Sequence, residues 1–135
     1  MDRYVDVVRN RVKELQKTHK IAKVCNQCFK QKCNCENKCL IDIDRQMTGI
    51  VKTLNKKGYK TMYCCESHFK YSLSIYVGFI KNYFNDMEIP EGFKYSKKKY
   101  TIEHIITSKN RKDENKFNEE KQYYINILKE WVKNL

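Results

Sequence analysis

Apolar residues recur at three- and four-residue spacing in three stretches of the chain, and this periodicity predicts three amphipathic helices. The predicted helices cover residues 2–20, 42–57 and 115–134. Asp42 or Asp44 is expected to cap the middle helix, and Gly58 supplies the left-handed residue that ends it.

Between the second and third predicted helices, apolar and polar residues alternate with the two-residue period of strands. In the clearest case Ile75, Val77 and Phe79 face one way, whereas Ser74 and Tyr76 face the other. Pro90 and Gly92 mark residues 85–98 as a loop. The predicted strands are Tyr59 to Cys65, with its odd-numbered residues on one face, Tyr71 to Ile80, and Tyr100 to Thr107.

Helices and antiparallel strands in this order predict a small α+β domain. We expect an antiparallel sheet of about three to four strands, with N-terminal, central and C-terminal helices and a zinc-stapled cysteine loop. A chain of 135 residues suits one such domain over residues 1–135. Residues 24–40 contain almost no apolar side chains besides cysteine, so this segment is expected to need a metal ion in order to fold.

The chain is strongly basic, with 28 lysines and arginines against 16 acidic residues and a formal net charge of +12. A positive field of this size favours nucleic acid, a nucleoprotein or an acidic protein surface as the partner. The abundance of Lys, Asn, Ile and Tyr also fits an AT-rich coding bias, under which part of the charge has no function.

No apolar run approaches the roughly 20 residues of a membrane span, and the first residues are polar, without the apolar core of a signal peptide. We therefore expect no membrane partner and a location in the cytoplasm of a host bacterial cell.

Five cysteines lie close together, at Cys25, Cys28, Cys33, Cys35 and Cys39. In a reducing compartment this spacing favours zinc over disulfides, and Cys25 and Cys28 form the Cys-x2-Cys turn that delivers two thiolates to one ion. The second pair is open: either Cys33 or Cys35 joins Cys39, because Cys33 and Cys35 do not both reach one ion easily unless the chain bends sharply.

Two further cysteines, Cys64 and Cys65, precede His68, and Cys65-x2-His68 has the spacing of a second half-site. Cys64 is expected on the other side of the strand. Seven cysteines and His68 make eight donors, which would suffice for two zinc ions, although one ion is the simpler expectation. Alternatively, Cys64 and Cys65 are buried core thiols.

Cys65 and His68 also suit a nucleophile and its base, but no third, orienting group is evident in the sequence. The chain has no glycine-rich phosphate loop and no paired-carboxylate motif. A cysteine or zinc enzyme is therefore the least favoured hypothesis, and we predict a protein without enzymatic activity.

The densest basic and aromatic patch lies in the C-terminal half of the chain. Lysines neutralise phosphates and tyrosines stack on bases, so the patch is a candidate contact for nucleic acid or a protein partner. Alternatively, its lysines protect an edge strand from pairing with another chain. Its members are Lys94, Tyr95, Lys97, Lys98, Lys99 and Tyr100.

The segments 35–39 (CENKC), 54–61 (LNKKGYKT), 64–68 (CCESH) and 90–93 (PEGF) resemble a family of small, mostly uncharacterised phage and prophage zinc-binding proteins. The resemblance covers about residues 25–93. Ser67 stands where the family pattern has Gly, so a different turn is expected before His68.

The resemblance implies a non-enzymatic, zinc-stabilised binding protein that inhibits a host nucleoprotein defence complex, similar to the anti-CRISPR proteins that bind a Cas nuclease. A basic inhibitor cannot mimic DNA by charge, so it would bind a protein surface, occupy a channel allosterically, or bind the guide RNA or DNA. The alternative is a basic, zinc-containing regulator that binds DNA or RNA directly.

Overall fold

Two antiparallel sheets and two α-helices make up the described part of the chain, residues 21–36 and 40–135 of a computed structural model. The predicted α+β class is therefore confirmed, whereas the predicted helix over residues 2–20 lies outside the described residues. The elements are β1 (Ile21–Cys25), β2 (Leu40–Asp44), α1 (Thr48–Lys56), β3 (Thr61–Cys65), β4 (Ser74–Phe79), β5 (Lys94–Ser96), β6 (Thr101–Ile105) and α2 (Glu114–Lys133), with 3-10 turns at Arg45–Met47 and Ser108–Asn110.

The four-stranded sheet has the order β3-β4-β6-β5, and every neighbouring pair is antiparallel. One face carries Ile75, Val77 and Ile102, which are fully buried. Helices α1 and α2 cover this face through apolar residues such as Leu54 and Leu128, which belong to the same core cluster. Helices α1 and α2 thus lie on one face of the sheet.

The hairpin of β1 and β2 forms a separate two-stranded sheet, in which Cys25 pairs with Leu40 and Ile21 pairs with Asp44. The sequence did not predict this sheet because the helical periodicity extends the middle helix over the end of β2. The chain that joins the paired residues Cys25 and Leu40 carries the cysteine segment, so the hairpin anchors both ends of that segment.

Helix α1 begins at Thr48, several residues later than predicted, because residues 42–44 belong to β2. Asp44 precedes the 3-10 turn but makes no capping hydrogen bond with its side chain. Its carboxylate instead accepts hydrogen bonds from the segment that follows β3. The predicted stop at Gly58 is confirmed by its positive φ of 96°.

A β-bulge in β3 separates side chains that were predicted to share one face. Thr61 pairs with Phe79, which faces the core, whereas Tyr63 pairs with Gly78 on the opposite face. A second correction concerns β5, which pairs with β6 inside the stretch predicted to be a loop. With only three residues, β5 is too short to show alternation.

The C-terminal helix agrees closely with the prediction. Asp113 caps it by accepting hydrogen bonds from the backbone N–H groups of Asn115 at 3.0 Å and Lys116 at 3.2 Å. Phe117 and Leu128 of the predicted apolar stripe are fully buried. Neither helix in the described part combines the length and the apolar character required to cross a lipid bilayer.

Candidate functional site

Four cysteine thiols converge at the end of the β1–β2 hairpin. The Sγ atoms of Cys25, Cys28, Cys33 and Cys35 all lie within 4.8 Å of one another. A tight turn brings the first two together, since the N–H of Phe29 donates to the carbonyl of Cys25 at 2.9 Å. Four thiols at these separations could hold one metal ion in a tetrahedron.

The chain bends sharply enough for both Cys33 and Cys35 to reach this cluster, which the spacing alone made unfavourable. A side-chain hydrogen bond from Gln27 to the carbonyl of Glu36, at 2.6 Å, ties the two ends of the bend together. Cys39 lies outside the described residues, so its pairing with either thiol stays a prediction.

Two of the four thiols differ in how readily they lose a proton. The backbone N–H of Cys28, and then that of Gln27 at 3.3 Å, stabilise the thiolate of Cys25 and lower its pKa to about 7. Hydrogen bonds to the side chains of Cys33 and Cys28 hold the proton on Cys35 and raise its pKa to about 12. A metal ion that replaced these shared protons would release them to solvent.

A second group of potential ligands consists of Asp44, Cys65 and His68. Asp44 ends β2, Cys65 ends β3 and His68 lies in the loop that follows. All three are buried, with exposed fractions of 8%, 3% and 2%, and their donor atoms lie within 4.8 Å of one another. The structure thus joins the predicted pair, Cys65 and His68, to a carboxylate from a distant strand.

Asp44 is the orienting group that sequence analysis did not find. Its Oδ1 lies 2.9 Å from Nε2 of His68, and its Oδ2 accepts the backbone N–H of Glu66 at 2.8 Å. The helical periodicity that follows Asp44 made this carboxylate look like a helix cap. A signal against that interpretation is the alternation Ile41-Asp42-Ile43-Asp44, which is typical of a strand.

The loop around Cys65 resembles the turn at Cys25 in one detail. The N–H of Ser67 donates to Sγ of Cys65 at 3.4 Å, two residues along, as Gln27 does to Cys25. Ser67 has a positive φ of 74°, the conformation that favours the glycine of the family pattern. The Sγ of Cys65 also lies 3.2 Å from Oγ of Ser72.

Cys64 and Cys65 occupy opposite faces of the sheet, as predicted, because Cys64 pairs with Val77 and Cys65 pairs with Tyr76. Cys64 packs against the core, and burial raises the pKa of its thiol. The alternative that both are core thiols agrees with Cys64, which is partly buried against the core, and with Cys65, which is 3% exposed, although Cys65 also lies beside Asp44 and His68.

Helix α2 holds this loop through a buried ion pair. Nζ of Lys121 lies 2.9 Å from Oε2 of Glu66, and both side chains are at least nine-tenths buried. Gln46 completes the environment of the carboxylate through its side chain at 3.1 Å and its backbone N–H at 3.3 Å. The position of the loop therefore depends on α2, on the 3-10 turn that contains Gln46, and on β2, whose Asp44 accepts the N–H of Glu66.

The face of the four-stranded sheet opposite the helices, which we call the open sheet face, carries a cleft of about 440 Å³. Tyr63, 40% exposed, meets Tyr76 edge to face with their ring centroids 5.8 Å apart. The hydroxyl of Tyr63 also contacts Oγ1 of Thr101 at 2.5 Å. The cleft is lined by Tyr63, Tyr76, Lys94, Tyr95, Ser96, Lys99, Thr101 and Glu103.

The predicted basic and aromatic patch is divided by the fold. Lys94 and Lys99 line the cleft, and Lys97 forms an exposed ion pair with Asp86 at 3.6 Å. Lys98 is exposed on the turn between β5 and β6. Because β5 is an edge strand, the alternative role of these lysines as edge protection also agrees with the topology.

Tyr95 and Tyr100 both pack partly against the core, so neither offers a free ring to a base. The ring of Tyr95 stands edge-on to Phe84, 6.5 Å away, although it also lines the cleft. The tyrosines on the sheet face opposite the helices are Tyr63, which is 40% exposed, and Tyr76, which is half-buried, and the sequence patch did not include them. Sequence alternation did place Tyr76 on the polar face of β4.

Comparisons with protein-family models, with curated proteins and with solved structures found no match to this chain. The proposals below therefore depend on the geometry of the described residues.

Proposed function

We propose that this protein is a non-enzymatic, zinc-stabilised binding protein whose open sheet face binds single-stranded nucleic acid. The observation that carries the proposal is the pair of neighbouring tyrosine rings, Tyr63 and Tyr76, on a solvent-facing sheet with Lys94 and Lys99 beside them. Aromatic rings that stack on bases and cations that meet phosphates are the two components of sequence-tolerant single-strand binding.

Gly78 is what lets Tyr63 lie across the sheet. A Cβ atom at position 78 would stand 2.3 Å from the Tyr63 ring, so any larger residue there would displace it. With one side of the ring against the backbone of β4, the other side is available to a base. Stacking of this kind contributes about 1–3 kcal/mol per base.

The charge near the cleft favours phosphate without forming a closed anion site. Lys94 and Lys99 line the cleft, but Lys94 is the cross-strand partner of Glu103, which partly neutralises it. Most of the attraction then comes from the net charge of +12. Binding that depends on such a field weakens steeply as salt is added.

Zinc is the ion we assign to the cluster of Cys25, Cys28, Cys33 and Cys35. Four thiolates suit a closed, tetrahedral structural zinc site, which leaves no position for a reacting water. The ion would fix the loop of the β1–β2 hairpin, a segment with few apolar side chains of its own. In this proposal the metal stabilises the fold and does no chemistry.

Inhibition of a nucleoprotein defence complex, such as a Cas effector, is the biological setting that the family resemblance suggests, and it stays a prediction. An exposed guide RNA or a displaced DNA strand would offer the open sheet face the unstacked bases that it requires.

The test is fluorescence anisotropy with labelled single-stranded DNA, single-stranded RNA and duplex DNA of equal length, measured across a salt series. Replacing Tyr63 and Tyr76 together by Ala should weaken single-strand binding by at least about tenfold, because the bases no longer stack. Tyr123→Ala is the matched control, because Tyr123 is 62% exposed but lies on α2. Equal affinity of the double variant and the parent would refute the proposal.

The lysines are tested in the same assay. Replacing Lys94 and Lys99 by Gln should reduce the slope of log affinity against log salt by about 0.7 for each phosphate that the variant no longer neutralises. Lys52→Gln, on the exposed side of α1, is the control and should change the slope less. A preference for duplex DNA would also contradict the proposal, since paired bases cannot stack on the tyrosines.

A further inference from the structure

His68 has a buried nitrogen atom that finds no partner among the residues the structure describes. Its side chain is 2% exposed, its Nε2 lies 2.9 Å from Oδ1 of Asp44, and no described residue forms a hydrogen bond with its Nδ1. Because the carboxylate accepts a hydrogen bond, the proton belongs on Nε2, which leaves a lone pair on Nδ1. A buried polar atom without a partner is costly and calls for an explanation, for which a bound metal ion is one candidate.

Cys65 is the neighbouring donor. Its Sγ lies within 4.8 Å of one ring nitrogen of His68 and of a carboxylate oxygen of Asp44, and it accepts the N–H of Ser67 just as Cys25 in the four-thiol cluster accepts that of Gln27. Thiolate sulfur and imidazole nitrogen are the donors that zinc and similar divalent ions prefer. A carboxylate on the far nitrogen of a ligating histidine fixes the orientation of its ring.

We propose that Cys65, through Sγ, and His68, through Nδ1, bind a second divalent transition-metal ion, with zinc as the first candidate, and that Asp44 orients the imidazole. Two protein ligands leave coordination positions for water or a small added donor. The spacing Cys65-x2-His68 indicated a half-site, and the structure adds the unpartnered Nδ1 of His68 and the carboxylate on the opposite ring nitrogen. This inference goes beyond the proposed function, in which the four-thiol cluster is the one metal site.

The same three residues also resemble a cysteine nucleophile with its base and orienting acid. Burial favours the metal, because Asp44, Cys65 and His68 are each more than nine-tenths buried. A metal ion reaches such a site through small openings of the loop, whereas a substrate would need a lasting opening onto Sγ. The nucleophile is therefore the outcome that would overturn the proposal.

The test combines metal analysis with X-ray absorption at the zinc edge on the full chain purified with zinc. We expect two zinc ions per chain, and a zinc–nitrogen shell at about 2.0–2.1 Å beside the zinc–sulfur shell at about 2.3 Å. His68→Gln and Cys65→Ser should each remove one zinc ion and the nitrogen shell. Cys64→Ser, the adjacent thiol on the other face, is the matched control and should keep both ions.

Two further variants separate the roles of the residues. Asp44→Asn should keep both ions but bind the second about 10- to 100-fold more weakly, as expected when the residue that orients a ligand is changed. Cys28→Ser should remove the ion of the four-thiol cluster and leave the nitrogen shell in place. Loss of both ions in Cys28→Ser, with the fold retained, would refute two independent sites.

One zinc ion in the parent, no nitrogen shell, or two ions in His68→Gln would overturn the proposal. Rapid alkylation of Cys65 by iodoacetamide in the zinc-loaded parent would identify a nucleophile in its place. Should the His68 and Cys65 variants not fold, cadmium-113 NMR of the parent decides the question. Two resonances, one from a four-sulfur site and one from a mixed sulfur–nitrogen site, are expected, and a single resonance refutes the second site.

Discussion

The buried ion pair between Lys121 and Glu66 offers the most direct test of how α2 holds the loop that contains Cys65 and His68. We consider the substitution Lys121→Met, which keeps most of the aliphatic length of the side chain and removes its charge. The carboxylate of Glu66, a residue that is 3% exposed, would then keep the two hydrogen bonds that it accepts from Gln46 and lose its cation. A buried carboxylate would thus lose its counter-charge.

The expected loss of stability follows from the geometry. Two unit charges 2.9 Å apart attract each other by about 6 kcal/mol at an effective dielectric constant of about 20. In the intact pair, the free-energy cost of removing both charges from water offsets much of this attraction. When Lys121 loses its charge, the cost of burying the charge of Glu66 remains and the attraction that compensated for it is gone. The free energy of unfolding should therefore fall by about 3–5 kcal/mol, against a total of about 5–15 kcal/mol for a domain.

The assay is urea denaturation at pH 7 with zinc held constant, applied to a double-mutant cycle. Glu66→Gln keeps the shape of the side chain and removes the charge, so the double variant Lys121→Met/Glu66→Gln should recover much of the stability that Lys121→Met removes. The coupling energy of the cycle should be at least about 1.5 kcal/mol. Lys129→Met, at an exposed position on the same helix, should change stability by no more than about 0.5 kcal/mol.

A loss of stability below about 1 kcal/mol in Lys121→Met, together with a coupling energy below about 0.5 kcal/mol, would refute this reasoning. That result would mean that water reaches Glu66 in solution and screens its charge. The loop would then be positioned by Asp44 and by its own backbone hydrogen bonds.

Three further predictions concern the open face, the C-terminal helix and the four-thiol cluster. Gly78→Ala should displace the Tyr63 ring and weaken single-strand binding about as much as Tyr63→Ala does, while circular dichroism shows that the fold is retained. Unchanged affinity would contradict the proposal that bases stack on Tyr63. Burial raises the pKa of Glu120, but the hydrogen bonds that its carboxylate accepts, chiefly from His104, lower the pKa by more than burial raises it. The pKa of Glu120 therefore lies below the ordinary value of 4.5. Because the folded pKa is depressed, this carboxylate stabilises the fold above pH 4.5 and less so as the pH falls below it. Glu120→Gln should therefore lower the free energy of unfolding by about 2 kcal/mol at neutral pH, and the difference in stability between variant and parent should be smaller in acid. An equal difference at both pH values in thermal melts would contradict a stabilising role for the charge of Glu120. Cys28→Ser should lower zinc content by one ion and expose residues 24–36 to protease, and unchanged metal content would contradict the four-thiol site.

Elements whose pattern is complete within one segment could be predicted from the sequence. Helix α2 repeats its apolar stripe over 20 residues, and β4 alternates Ile75 and Val77 with Ser74 and Tyr76. Such patterns show which side chains must be buried together on one face of a helix or strand. The element can therefore be predicted without knowledge of the rest of the fold. The cysteine spacing likewise predicted where a metal site would form, because four of its thiols converge through local turns.

The tertiary structure alone decided which distant groups meet. The alternation in β2 is brief and merges with the helical periodicity that follows it, and the bulge in β3 turns Tyr63 onto the open face without any sequence signal. The sequence by itself determined that Cys65 and His68 lie three residues apart near a strand end. That Asp44 lies 2.9 Å from His68 depends on how the hairpin packs against the sheet, since contacts between residues far apart in the chain arise from packing and not from local periodicity.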